Sequence, residues 1–124
     1  MTIWTRTELD KIGTADELQI APVRRDGTFQ KPVTIWVVRV GDELYVRSAY
    51  GRSAAWFRGA KVRHEARIRA GDFEKDVTLL ETDPNLNDQI DAAYRTKYRR
   101  YGTTYVNMMV SSEARSATIK LVPR

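Results

Sequence analysis

Residues 32–56 read PVTIWVVRV, then GD, then ELYVRSAYGRSAAW, and this stretch decides the fold. Pro32 stands where a strand tolerates a missing N–H, at its first residue. Val33 to Val40 are almost all β-branched or aromatic, the side chains that suit a pleated surface. Successive side chains point to opposite faces, so Val33, Ile35 and Val37 share one face and Trp36, Val38 and Val40 the other. Neither face is polar, whereas a half-buried strand alternates. The pattern therefore predicts a strand covered on both sides, its outer side most simply by a second copy of the chain. Gly41-Asp42 turns it into Glu43–Arg47, and the loop rich in Gly, Ser and Arg that follows leads into a helix.

Around that hairpin the chain reads in order. Thr5 and Glu8 form a capping box, each side chain satisfying a backbone N–H of the other, with Leu9 and Ile12 as a short apolar stripe and Gly13 as the stop. Residues 17–25 (ELQIAPVRR) predict a strand near a sheet edge because of Pro22, and Asp26-Gly27 a turn inside a loop longer than a tight hairpin. Ser53 is placed to cap a helix over residues 54–60, limited by Gly59. Residues 63–69 alternate strictly, which puts His64, Ala66 and Ile68 inward, and after Gly71-Asp72 the chain runs back over residues 73–82. Asp83-Pro84 opens the strongest helix, with Leu86, Ile90, Tyr94, Tyr98 and Tyr101 on one face and Gly102 past its end. Asp91 and Arg95 form an i,i+4 pair on its outer face. Residues 105–110 (YVNMMV) fit a helical turn or a strand, and 116–121 are a final alternating strand. Six strands with short antiparallel connections and flanking helices predict a mainly β, α+β domain built on a small antiparallel barrel.

The chain has 124 residues, enough for one domain (1–124) that buries roughly two-thirds of its unfolded surface. It has no cysteine, which removes disulfides, thiolate metal sites and a cysteine nucleophile. No 18-residue apolar run is present, and MTIWTRTELDK lacks the apolar core of a signal peptide, so a cytoplasmic protein is expected. Groups able to act as catalysts are sparse: a single histidine read as a core residue, and carboxylates at 72, 74 and 76 read as a solvated face. The sequence designates no catalytic residue and no metal site. Such a chain either performs no reaction or borrows a cofactor for it.

The net charge is +5, but residues 47–70 carry seven cations against one acid, Glu65, so the remainder is slightly acidic. A polarised chain draws phosphate-bearing ligands or nucleic acid to one region. The sharpest anion signal is Arg47-Ser48-Ala49-Tyr50-Gly51-Arg52-Ser53, which offers two guanidinium groups, three hydroxyls and a helix start. Trp36, Tyr50 and Trp56 add flat surface suited to an aromatic ring, although for the two tryptophans core packing is the favoured single role. A second reading is a cofactor-free dimer that uses Arg58 to Arg69 on nucleic acid or an acidic partner.

Residues 19–71 resemble the flavin-binding split barrels, among them the pyridoxamine-phosphate-oxidase-like proteins and the deazaflavin-dependent nitroreductases. The resemblance rests on the Arg24-Arg25-Asp26-Gly27 loop, the Pro-led strand from Pro32, the hairpin from Gly41 to Gly51, Trp56 in a helix with small residues, and the strand from Ala66 to Gly71. With residues 91–98 (DAAYRTKY) added, the chain looks like a small bacterial branch of that superfamily. The resemblance implies a homodimer of six-stranded split barrels, an oxidoreductase with FMN or a deazaflavin as hydride carrier. It implies that Arg24, Arg25, Arg47, Ser48, Arg52 and Ser53 hold the cofactor phosphate and that Trp56 lines the ring.

Overall fold

The computed structural model describes residues 3–124. Helix α1 (Arg6–Thr14) is followed by β1 (Leu18–Pro22), β2 (Val33–Ile35), β3 (Val37–Val40) and β4 (Glu43–Arg47). Then come α2 (Ala55–Arg63), β5 (Glu65–Ala70) and β6 (Phe73–Glu81). The chain ends with α3 (Asn87–Lys97), α4 (Thr103–Met109), α5 (Ser112–Ser116) and β7 (Thr118–Pro123).

All pairings are antiparallel, in the order β2-β1-β5-β6-β7-β4-β3. The two outermost strands, β2 and β3, are joined in sequence by Trp36 alone. A sheet whose two edges are tied by one residue must curl until they meet, and the result is a nearly closed barrel. This corrects the six expected strands to seven: the stretch after Pro32 pairs with β1 up to Ile35 and with β4 from Val37, breaking at Trp36 where it changes partner.

At the break, the Tyr98 hydroxyl accepts a hydrogen bond from the Val37 N–H (3.1 Å), and its own proton faces the carbonyls of Val37 and Asp16 (3.0 Å each). Lys97 Nζ donates to the Val37 carbonyl at 2.6 Å. The end of α3 thus satisfies backbone groups that a further strand would otherwise take. Trp36 lies flat on Tyr98, with ring centroids 3.9 Å apart and planes 2° from parallel.

Two apolar clusters follow. The barrel interior is filled by Leu18, Ile20, Val37, Leu44, Val46, Ile68 and Leu79, plugged by Leu9 and Ile12 of α1 and Trp56 and Phe57 of α2. Outside the barrel, Val38 and Tyr45 pack against Ile90, Tyr94 and Tyr98 of the α3 region and Val106 and Met109 of α4. The outer face of β3 is therefore covered by the chain's own helices and gives no argument for a second subunit. Nor is the whole stretch doubly buried, since Val33 and Thr34 are exposed.

The Thr5–Glu8 capping box is present, and α1 runs through Gly13 to Thr14. Arg24 to Thr28 close a tight turn carried by the Val23–Phe29 bridge. Ser53 does not cap α2; Ala54 is the N-cap with no side-chain bond, while the Ser53 hydroxyl donates to the Tyr50 carbonyl. Helix α2 continues past Gly59 to Arg63, and the missing Cβ at Gly59 leaves the space that the Gln30 side chain occupies. His64 is exposed rather than inward: it closes α2 in the left-handed region (φ 58°) and so falls out of the β5 alternation.

Asp91 turns inward instead of pairing with Arg95. Its carboxylate meets the fully buried Arg47 at 2.5 Å. All five Arg47 N–H donors are matched: Nε donates to Thr118 Oγ1, one terminal nitrogen to Asp91 Oδ1 and the Met109 carbonyl, the other to the carbonyl and Oδ1 of Asn87. Removing one partner of a buried ion pair strands the other charge, at about 3–5 kcal/mol. Arg47→Met is expected to lose about that much in urea unfolding, and Arg47→Met with Asp91→Leu to recover most of it. A loss under about 1 kcal/mol for the single variant contradicts the assignment.

Burial pushes Lys97 down to about 8 from an ordinary 10.5, and burial raises the phenols of Tyr94 and Tyr98. Between pH 8 and 10 the unfolded chain therefore holds the extra Lys97 proton, so stability rises with pH there, then falls as unfolded tyrosines ionise. Lys97→Met should abolish the rise. A wild-type stability that is flat or declining from pH 8 to 10 overturns this reading.

Candidate functional site

The residues expected at a cofactor do not converge. Arg24 folds back on its own turn, donating to the Phe29 carbonyl at 2.6 Å, and Arg25 is exposed beside it. Arg47 is spent within the fold, and Ser48 is buried with a hydroxyl that has no hydrogen-bond partner among the described residues. Gly51, at φ +76°, reverses the chain between Tyr50 and Arg52. Arg52 is thereby carried away, donating to the Ser116 carbonyl at 2.7 Å and pairing with Glu81 at 3.0 Å. It borders a polar cleft of about 490 Å³ shared with Thr82, Asn87 and Arg115. Ser53 is exposed.

Two of the seven, Arg47 and Trp56, border a different cavity of about 520 Å³. One wall is the β2–Trp36 segment with Val33, Ile35 and Trp36; Ala54 and Trp56 at the start of α2 lie below. Tyr50, Tyr101, Tyr105 and Met108 complete the lining. Tyr50 is 71% exposed, Tyr105 61%, Tyr101 41% and Val33 36%. Exposed aromatics gathered on one concavity mark a binding surface rather than scattered surface residues. Trp36 is held from behind by the Tyr98 stack and tilted against Tyr101 at 5.5 Å, and Trp56 meets Phe57 edge-on. Trp36 is thus held in place by its neighbours, while Trp56, 7% exposed, is packed within the barrel cluster.

Tyr50 was legible as flat surface; Trp56 takes the core role the sequence favoured for the tryptophans, and Trp36, half-buried on Tyr98, lines the cavity. The Tyr101–Met108 wall was missed because residues 105–110 fit either element and Tyr101 was assigned to a buried helical face. Its only signal was the run of apolar residues beyond Gly102.

The basic block is largely neutralised. Acids that follow it in sequence return beside it, so Arg67 on β5 stands opposite Asp76 on β6 and pairs with it at 2.8 Å, with Glu74 at 3.2 Å. Glu81 holds Lys61 and Arg52, and Glu65 holds Arg63 and Arg124. The guanidinium beside Asp76 and the ammonium beside Glu81 keep both carboxyls below their usual range. Among the described residues, no three His, Cys, Asp or Glu side chains assemble as metal ligands, and no helix is long and apolar enough to cross a membrane.

No curated protein matches the chain in sequence. Among solved structures, the conserved hypothetical protein Rv2991 from Mycobacterium tuberculosis aligns with TM-score 0.71 at 12% identity, over 99% of this chain and 82% of that one. The FAD and heme binding protein from Mycobacterium smegmatis aligns with TM-score 0.61 at 19% identity, over 94% of this chain and 64% of that one. An F420 reductase aligns with TM-score 0.53 at 16% identity, over 94% and 90%. These likenesses are of fold, and that fold is the split barrel. A family model described as "Uncharacterized protein conserved in bacteria (DUF2255)" matches residues 8–121, and the chain belongs to that family.

Proposed function

We propose that the aromatic groove binds a flavin-class ring, a flavin or a deazaflavin, and that the protein is an oxidoreductase built around it. The observation that carries this reading is the largely apolar cavity beside the barrel break, lined by Trp36 and by the exposed rings of Tyr50, Tyr101 and Tyr105. Its size lies within the range of pockets that take small ligands and cofactors. The likeness of the fold to an FAD and heme binding protein and to an F420 reductase supports the same class of ligand. Such a ring supplies hydride transfer, which the side chains at the groove do not offer.

The chain's own part is to bind, orient and dry the ring. Trp36 and the exposed rings of Tyr50, Tyr101 and Tyr105 offer flat surface, Met108 adds apolar contact, and the largely buried Trp56 supports the floor from within the barrel cluster. Within the Arg58–Arg69 face of the nucleic-acid reading, Lys61, Arg63 and Arg67 are paired with acids, which leaves Arg58 and Arg69 as its cations without an acid partner among the described residues.

At about −0.3 kcal/mol per heavy atom, riboflavin with roughly 27 such atoms reaches about −8 kcal/mol, a Kd near 1 μM. Titration of riboflavin followed by quenching of its fluorescence should show Kd in the range of about 1–10 μM. Tyr50→Ala and Tyr105→Ala, both at exposed positions, should weaken it about three- to tenfold with unfolding midpoints unchanged. Absence of binding by riboflavin and by 5-deazariboflavin at about 100 μM contradicts the proposal.

A further inference from the structure

The groove and the cations read from the sequence as a phosphate cradle are different places. Of the lining residues only Arg47 and Glu17 carry charge. Arg47 has no donor to give, since five protein acceptors take its five N–H groups. Arg52 borders the other cleft, tied to Glu81 and the Ser116 carbonyl. Arg24 is hydrogen-bonded inside its own turn, and neither it nor Arg25 lines the groove. A terminal phosphate dianion in the groove would find Glu17 and no free guanidinium, and burying an unpaired anion is costly.

We propose that the groove recognises its ligand by the ring alone, and that its ligand class is a neutral flavin-type heterocycle whose terminal phosphate, where one is present, is not engaged by this chain. This rests on the proposed function above and narrows it. Arg24, Arg25 and Arg52 then act in the turn and in the polar cleft, and Arg47 acts as the tie between helices and barrel.

Parallel titrations with riboflavin and FMN, each at about 0.05 M and about 0.5 M salt, test the inference. The expected result is equal affinity within about threefold, unchanged by salt, and unaffected by Arg52→Ala and Arg24→Ala, while Tyr105→Ala weakens both ligands alike. FMN bound more than about tenfold tighter than riboflavin, with that advantage lost in high salt or in either arginine variant, overturns ring-only recognition and leaves the ring site standing. Binding of neither ligand removes the ring site itself, and this inference with it.

Discussion

The Arg47 guanidinium meets acceptors from three segments that are remote in sequence: Thr118 at the start of β7, Asn87 and Asp91 in the first half of α3, and the Met109 carbonyl at the end of α4. Hydrophobic burial between barrel and helices is non-directional and by itself constrains their rotation only loosely. A planar fork with five fixed donors does set it. Desolvating a charge is costly, so such a pair is poor evidence of net stability, but it specifies one docking of α3 and α4 on β4. The groove depends on that docking, since Tyr105 and Met108 belong to α4 while Trp56 and Ala54 belong to the barrel side.

A second constraint is topological. With β2 and β3 at opposite ends of the sheet and adjacent in the chain, closure of the barrel and the break at Trp36 are one event. The break leaves the Val37 backbone unpaired on one side, and Tyr98 and Lys97 answer it from α3. The stack of Trp36 on Tyr98 then fixes one wall of the groove. Fold and site therefore share residues, and the site's rigidity follows from how the barrel closes.

Local signals in the sequence survived folding well: the Thr5–Glu8 box, the alternation in β5, the Asp83-Pro84 start before α3, and the Ile90, Tyr94, Tyr98 face. What failed were inferences about partners across space. The apolar stretch after Pro32 reads as one doubly covered strand, yet it is two strands broken at Trp36, and only β3 is covered on its outer side, by helices later in the same chain. The cationic run from Arg47 to Arg69 looked like an anion site because linear order hides antiparallel return; the acids of β6 lie directly opposite. Arg47 and Asp91 carry no local mark of their pairing, being 44 positions apart. Of the site, Tyr50 was visible and the Tyr101–Met108 side was not, since an apolar run does not announce whether it faces a core or a cleft.

Hydrogen exchange of the whole chain with and without riboflavin reads the location of the ligand most directly. The account expects added protection confined to residues 33–36, 54–57 and 103–109, where the groove walls meet the ring. Protection confined instead to the 24–28 turn, to β5 or to the Arg52 cleft, or no change at saturating ligand, would contradict it.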